Sequence, residues 1–160
     1  MSKVIFLDRD GVINRERGDY TWRISDFEFN DGLFEFMQIM QKRGYLFIVI
    51  TNQGGIARKV YTNKEFLELT DYMLSEFKKE DITVTDLYYC PHHSNVEKCL
   101  CRKPEPLMLE KAIAKYNVDI DNSYFIGDSE RDIIAGNKVG LNTIKIEANT
   151  SLLDIIKDIN

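Results

Sequence analysis

Short apolar runs alternate along the chain with longer segments in which apolar residues recur every three or four positions. A short apolar run is typical of a buried strand, and the longer period is typical of an amphipathic helix. The runs predict strands at 4–7, 45–50, 85–89, 123–126 and 142–146. The helical periods predict helices at 32–42, 63–79, 106–116, 130–139 and 151–159. Strands and helices are therefore expected to alternate along nearly the whole chain.

This alternation predicts the fold class. Strands that are apolar at every position, rather than at every second one, are typical of a parallel sheet covered by helices on both faces. The chain has no internal repeat and no linker-like stretch, and 160 residues suit one domain. We therefore expect an α/β protein with a doubly wound parallel sheet, formed by a single domain over residues 1–160.

Polar residues follow three of the predicted strands directly. Asp8 and Asp10 come after the first strand, Thr51 and Asn52 after the second, and Asp128 after the fourth. In doubly wound sheets, ligands bind beyond the carboxyl ends of the strands. These side chains are therefore predicted to meet along one edge of the sheet.

The chemistry of these side chains indicates phosphoryl transfer. Adjacent carboxylates repel unless a cation lies between them, and the carboxylates of Asp8, Asp10 and Asp128 suit Mg²⁺. One carboxylate can attack a bound phosphate, while a second carboxyl protonates the leaving alcohol. Thr51 and Lys103 can donate to the phosphoryl oxygens. The alternative is that the first two aspartates form a turn and Asp128 caps a helix, but clusters after three separate strands favour a site.

A second cluster holds every cysteine and histidine of the chain within residues 90–101. Cys90, His92, Cys99 and Cys101 would form the closed set of four ligands that structural Zn²⁺ prefers. The alternative is that the cysteines are small buried apolar residues. Clustering favours a zinc loop, which would order the chain just before Lys103.

Composition narrows the compartment and the partners. The net charge is −5, with 21 basic and 26 acidic side chains, which argues against a nucleic-acid partner and a polybasic membrane anchor. No apolar stretch has the length of a membrane span or the form of a signal peptide. Three cysteines in one short segment do not form a disulfide framework. We expect a cytoplasmic monomer that acts on a small phosphorylated metabolite.

Four segments together resemble a known family. They read Phe-Leu-Asp-Arg-Asp-Gly-Val-Ile-Asn at 6–14, Val-Ile-Thr-Asn-Gln at 49–53, Cys-Arg-Lys-Pro at 101–104 and Ile-Gly-Asp-Ser-Glu-Arg-Asp at 126–132. In this order they resemble the four motifs of the haloacid dehalogenase superfamily, in its branch of heptose bisphosphate and histidinol-phosphate phosphatases. The resemblance spans residues 4 to about 147. It implies a Rossmann-like core, and the absence of a long insertion after the first two motifs implies no separate cap domain.

The resemblance also implies roles for the residues. Asp8 would be the nucleophile, Asp10 the general acid and base, and Thr51 and Lys103 would stabilise the phosphoryl group. Mg²⁺ would be held by the Asp8 side chain, the Asp10 backbone carbonyl and Asp128. Asp132 would support these ligands from behind rather than only cap a helix. The same branch has a structural zinc loop directly before its Cys-Arg-Lys-Pro motif, which leaves His93 as a neighbour that does not bind the metal.

The substrate is suggested by two further stretches, at 19–29 and at 54–58, which look similar to the heptose branch. The resemblance then implies removal of the 7-phosphate from D-glycero-D-manno-heptose 1,7-bisphosphate. Arginines in the predicted loops could hold a second phosphate, although Arg23 and Lys59 are interpreted as solvated. The expected substrate-binding residues are Arg17, Asp19, Tyr20, Thr51, Asn52, Arg58, Arg102 and Lys103.

Three other functions remain open at this point. A histidinol-phosphate phosphatase would need acidic groups around the substrate amine rather than Arg58. A phospho-accepting receiver domain would need an aspartate after a middle strand, where this chain has Thr51 and Cys90. A zinc-stabilised binding module without catalysis is disfavoured because all the catalytic positions are intact.

Overall fold

The computed structural model describes all 160 residues. Its five strands form one sheet in the order β3-β2-β1-β4-β5, and every neighbouring pair is parallel. The strands are β1 (Val4–Leu7), β2 (Leu46–Asn52), β3 (Val84–Cys90), β4 (Tyr124–Gly127) and β5 (Asn142–Lys145). The predicted α/β class with a doubly wound parallel sheet is confirmed.

Four α-helices connect the strands. They are α1 (Leu33–Lys42), α2 (Asn63–Lys79), α3 (Leu107–Tyr116) and α4 (Glu130–Lys138). The last predicted helix, at 151–159, is instead a 3₁₀ helix over Leu152–Asp158, and shorter 3₁₀ turns lie at Ile24–Asp26 and Ile120–Asn122. None of the helices has both the length and the apolar character needed to cross a membrane.

The sheet separates two apolar clusters, as a doubly wound fold requires. One face packs against α1, α2 and the 3₁₀ helix at the end of the chain, through residues such as Phe36, Met73 and Leu152. The other face packs against α3 and α4, through residues such as Leu109 and Ala135. Strand β1 lies in the middle, and all four of its side chains are buried.

The second strand is longer than predicted and carries two of the expected site residues within it. The pattern ended β2 at Ile50, but Thr51 pairs with Tyr89 and Asn52 pairs with Cys90. Pairing with β3 extends the strand although its sequence has turned polar. The first cysteine of the predicted zinc loop is thereby fixed beside Asn52.

Candidate active site

A cavity of about 830 Å³ opens beyond the carboxyl ends of the strands. The chain reverses its direction of progress across the sheet at β1, since β2 and β4 lie on opposite sides of it. Ligand sites of open α/β sheets lie at such switch points. Asp8, Asp10, Asn52 and Asp128 all line the cavity. The predicted meeting of these strand ends at one edge is therefore observed.

Lys103 lies buried behind Asp8 and does not itself line the cavity. Its ammonium group lies 2.9 Å from Asp8 Oδ1 and 2.7 Å from Asp132 Oδ1, and it donates to the carbonyl of Ile50 at 2.9 Å. The lysine side chain is 3% exposed and that of Asp132 is 2% exposed. A buried charge is tolerated when it is paired and hydrogen-bonded on all sides. Lys103 is thus held rigidly beside Asp8.

The protonation of this cluster follows from its charges. Burial alone lowers the pKa of Lys103, but the carboxylates of Asp8 and Asp132 outweigh it and raise that pKa, so the ammonium stays charged. Burial raises the pKa of Asp8 well above its usual range; Lys103 opposes this, and Asp132 and Asp128 add to it. A further cation at the carboxylates would favour the ionised, nucleophilic form of Asp8.

Three carboxylates offer a place for such a cation. One oxygen each of Asp8, Asp128 and Asp132 lies within 4.8 Å of the others. Burial raises the pKa of Asp128, and the charge of Asp132 adds to the rise. Asp132 already binds Lys103. The donor set that faces the cavity, Asp8 and Asp128, fits a hard divalent ion such as Mg²⁺.

The close approach of Asp128 depends on Gly11. A Cβ atom at Gly11 would lie 2.1 Å from Asp128 Oδ2, and the backbone there has a φ of +91°. Both the space and the left-handed backbone favour glycine. Glycine at position 11 is therefore required for the Asp128 carboxylate to approach the loop after β1.

Asp132 has two contacts with different consequences. Its Oδ1 binds Lys103, while its Oδ2 accepts a hydrogen bond from the Ser129 backbone at 3.2 Å and completes a capping box at the start of α4. The sequence left the choice between a supporting residue and a helix cap. The structure shows both roles in one side chain.

Asp10 is held separately from the other acids. Its Oδ1 accepts from Arg9 and from Asn14, both at 3.0 Å, and its Oδ2 accepts from Gln53 at 3.2 Å. Its carboxylate does not belong to the group of three acids that face one another. A carboxyl fixed at the cavity wall but apart from the cation cluster suits proton transfer better than metal binding.

The end of β2 positions Lys103 through its backbone. The Asn52 amide donates to the Lys103 carbonyl at 3.1 Å and accepts from the Lys103 backbone N–H at 3.0 Å. Thr51 is buried, and its hydroxyl accepts from Gln53 at 2.9 Å. Both residues lie next to the acids, but Asn52 lines the cavity and Thr51 lies behind its wall.

The cysteine and histidine side chains converge as predicted. Cys90 Sγ lies 2.9 Å from Cys101 Sγ and 3.7 Å from Cys99 Sγ, and His92 Nδ1 lies 3.2 Å from Cys101 Sγ. A tetrahedral zinc ion with bonds of about 2.3 Å to sulfur separates its ligands by about 3.8 Å. Burial raises the pKa of the Cys90 thiol, which a bound cation would reverse. The four donors surround one point, as in a closed zinc site: the Cys90–Cys99 separation matches that spacing, and the two shorter separations would widen around a bound ion.

Three arginines surround the open part of the cavity. Arg58, Arg102 and Arg131 all line it, and none forms an ion pair with a carboxylate. Desolvation and the positive charges of these three arginines lower the pKa of His93, which lies among them. The cavity therefore has an acidic end at Asp8 and three arginines without an ion-pair partner, and Glu16 and Asp19 also line it.

The remaining expected substrate residues lie in the loop after β1. Asp19 and Tyr20 line the cavity, and the Tyr20 hydroxyl accepts from Arg58 at 3.3 Å. Arg17 instead points to Asp26 at 3.6 Å and donates to the carbonyl of Tyr20, so it does not line the cavity. Arg17 therefore holds the conformation of this loop and does not contact the cavity, contrary to its predicted role in substrate binding.

Sequence reasoning missed several residues of the site. Arg9 is 1% exposed, donates to Asp10 and the carbonyl of Thr21, and lies between Phe27 and Phe66. An arginine after a strand gave no signal of such burial. Arg131, in the first turn of α4, lines the cavity, and nothing in its sequence position indicated that.

Comparison with known proteins identifies the family. The model of the HAD-hydrolase-like family matches residues 100–153. A D-glycero-α-D-manno-heptose-1,7-bisphosphate 7-phosphatase of Campylobacter jejuni is 47% identical over 143 residues, which cover 89% of this chain and 81% of that protein. A D-glycero-β-D-manno-heptose-1,7-bisphosphate 7-phosphatase of Pasteurella multocida is 38% identical over 160 residues, or 96% of this chain and 86% of that protein.

A solved structure agrees. The D,D-heptose 1,7-bisphosphate phosphatase of B. bronchiseptica, crystallised with magnesium and phosphate, superposes with a TM-score of 0.83 at 28% identity, over 88% of this chain and 78% of that one. The sheet, the motifs and the relatives thus agree with the resemblance inferred from the four segments. The chain belongs to the haloacid dehalogenase-like hydrolases, in the family of the D-glycero-D-manno-heptose-1,7-bisphosphate 7-phosphatases.

Proposed function

We propose that the protein removes the 7-phosphate from D-glycero-D-manno-heptose 1,7-bisphosphate through an aspartyl-phosphate intermediate. One observation carries the proposal: Asp8 lies at the floor of the cavity, 2.9 Å from the buried ammonium of Lys103, with Asp10 fixed on the wall above it. The relatives described above supply the substrate. The protein would act in the cytoplasm as a monomer.

The reaction has two balanced steps. The Asp8 carboxylate attacks phosphorus, the ester P–O bond breaks, and the Asp10 carboxyl gives its proton to the departing sugar oxygen. A water then attacks the phosphorus of the acyl phosphate and gives a proton to the Asp10 carboxylate. The bond between phosphorus and Asp8 breaks, so inorganic phosphate leaves and both aspartates return to their starting states. Lys103, held behind Asp8 by its ion pair, stabilises through its positive charge the phosphoryl group on that aspartate.

Mg²⁺ is the proposed cofactor, with the side chains of Asp8 and Asp128 and the backbone carbonyl of Asp10 as its protein ligands. When bound it neutralises the carboxylates and polarises the phosphoryl group. The observed crowding of acids supports this assignment, since one carboxylate oxygen each of Asp8, Asp128 and Asp132 lies within 4.8 Å of the others. Zn²⁺ at Cys90, His92, Cys99 and Cys101 is proposed to be structural, because four protein ligands leave no open position.

The second phosphate of the substrate suits the three arginines that line the cavity. Arg58, Arg102 and Arg131 face the cavity without carboxylate partners, and guanidinium groups bind phosphate through paired hydrogen bonds. A substrate with a phosphate at each end would place one over Asp8 and the other among these arginines. Histidinol phosphate carries an ammonium group instead, which these arginines would repel; Glu16 and Asp19 also line the cavity, which makes this compound the necessary comparison.

Phosphate release from three compounds tests the proposal. The compounds are the α and β anomers of the heptose bisphosphate and histidinol phosphate, each with Mg²⁺ and with EDTA. We expect kcat/KM for the preferred heptose anomer to exceed that for histidinol phosphate by at least about a hundredfold, and we expect EDTA to stop turnover. Faster turnover of histidinol phosphate would overturn the substrate assignment. Full activity in EDTA would overturn the assignment of Mg²⁺ as the cofactor.

Arginine variants test the placement of the second phosphate. Arg131→Ala is expected to lower kcat/KM for the heptose bisphosphate roughly tenfold to hundredfold, as for a lost charge-assisted hydrogen bond. Turnover of the heptose 7-phosphate, which lacks the second phosphate, should change little. Arg23→Ala is the matched control, because this exposed arginine lies outside the cavity. Equal losses on both substrates would contradict the proposed placement of the second phosphate.

A further inference from the structure

The hydroxyl of Tyr61 ends a buried chain of hydrogen bonds that leads to Asp10. Tyr61 donates to Gln53 Oε1, and Gln53 Nε2 donates to Asp10 Oδ2 at 3.2 Å. Tyr61 and Gln53 are each 3% exposed. Tyr61 does not line the cavity, so it cannot touch a substrate there.

The direction of this chain is fixed by its chemistry. Burial raises the pKa of Tyr61, so its hydroxyl keeps its proton and remains a donor. A donor at Oε1 requires the Gln53 amide to present its NH₂ group to its other neighbours. Those neighbours are the Asp10 carboxylate and the Thr51 hydroxyl, at 3.2 and 2.9 Å. With the amide reversed, its oxygen would face the carboxylate oxygen of Asp10.

The ring of Tyr61 is itself firmly placed. It stacks with Trp22 at a centroid distance of 6.4 Å and meets Tyr20 edge-on at 6.0 Å. Its Cε1 lies where a Cβ atom at Gly55 would approach to 2.2 Å, so only glycine fits at that position. The segment after β2 thus clamps Tyr61 against the loop that follows β1.

Asp10 depends on this support at one of its two oxygens. Arg9 and Asn14 both bind Oδ1, whereas Gln53 is the only side chain that donates to Oδ2. Loss of the Gln53 orientation would leave Oδ2 free to rotate or to face an acceptor. A proton transfer that requires a fixed geometry would then slow down.

We propose that Tyr61 is a positioning residue, which holds Asp10 through Gln53 in the orientation required to transfer a proton to the leaving alcohol. The inference rests on the proposed function, since it assumes that Asp10 acts as the general acid. It extends the site to a buried side chain outside the four motifs. If Tyr61 acts in this way, its loss should slow the reaction most for substrates whose leaving group must be protonated.

Single-turnover measurements on Tyr61→Phe test this expectation with two substrates. A sugar alkoxide needs a proton to leave, but p-nitrophenolate does not. We expect the rate of alcohol release from the heptose bisphosphate to fall roughly tenfold to hundredfold, a part of the contribution typical of general acids. The burst of p-nitrophenolate from p-nitrophenyl phosphate should stay within about threefold of wild type. Tyr72→Phe is the matched control, because this half-buried tyrosine lies on α2 outside the cavity.

Measuring the same substitution in an Asp10→Asn variant distinguishes a positioning role of Tyr61 from a general effect on folding. In Asp10→Asn the proton donor is absent, so adding Tyr61→Phe should lower the rate no further, whereas independent damage would multiply the two losses. Equal losses of Tyr61→Phe on both substrates, or a further loss in the Asp10→Asn background, would overturn the inference while leaving the proposed function intact. A wild-type protein that releases neither phosphate nor p-nitrophenolate would overturn the proposed function and the inference with it.

Discussion

Asp8 must be buried enough to exclude water and yet ionised enough to attack phosphorus. Its side chain is 13% exposed, and burial raises its pKa while Lys103 opposes the rise. Asparagine at this position keeps the shape and can still accept from Lys103, but it has no nucleophilic oxygen anion. We expect Asp8→Asn to lower phosphate release by about a thousandfold or more, measured with purified protein at saturating Mg²⁺.

The control for this variant is another aspartate changed in the same way. Asp71 is exposed on α2 and does not line the cavity, so Asp71→Asn should keep wild-type activity. Circular dichroism and zinc content should match wild type in both variants. Retained turnover in Asp8→Asn would show that the attacking group lies elsewhere.

Some site residues could be predicted from the sequence because they come directly after the end of a strand. Asp8, Asp10 and Asp128 belong to this group, since parallel strands bring their carboxyl ends to one edge whatever the details of packing. Arg9 and Tyr61 could not be assigned in this way. Their burial depends on how the segments after β1 and β2 pack against each other, and no local pattern encodes that contact.

The loop between β3 and α3 has few internal contacts that could order it. Residues 94–98 are all exposed and contain no helix or strand, yet the same loop carries Arg102 and Lys103, which must be placed accurately. Cross-linking the end of β3 to Cys99 and Cys101 would limit the loop to a few conformations. Metal binding of this kind contributes directly to folding.

Adjacent histidines make a matched test of the zinc loop. We expect His92→Ala to lose bound zinc, to lower the melting temperature and to lower kcat, because Lys103 follows the last metal ligand by two residues. His93→Ala should keep one zinc per chain, since this ring faces the cavity rather than the cysteines. Zinc is measured by mass spectrometry of the dialysed proteins. Loss of zinc from both variants, or from neither, would contradict the assigned ligands.

The apolar pattern predicted which strands and helices are present better than it predicted where each of them ends. All five strands and α1 to α4 lie where the apolar pattern placed them. The extension of β2 through Thr51 and Asn52 was not predictable from the strand itself, because it arises from pairing with β3. The 3₁₀ geometry of Leu152–Asp158 was likewise hidden, since its apolar spacing also suits an α-helix.

The whole molecule is a sheet with a separate apolar cluster on each face. Leu69 on α2 belongs to one cluster, and Ile50 on β2 belongs to the other, and both are 1% exposed or less. The active site lies at the edge where the two layers end, so its geometry depends on both. This arrangement raises the question of whether the layers lose stability independently.

Double substitution answers that question. Leu69→Ala should cost about 2–5 kcal/mol of unfolding free energy and Ile50→Val about 0.5–1.5 kcal/mol, as typical for buried methyl groups removed from a packed core. Because the two side chains pack in different clusters, the double variant should lose the sum of the two within about 0.5 kcal/mol. Urea unfolding with zinc held constant measures each value, and the urea dependence should be the same in all four proteins. A departure from the sum by more than about 1 kcal/mol would mean that strain crosses the sheet, and that substitutions in either layer can then disturb the carboxylates at its edge.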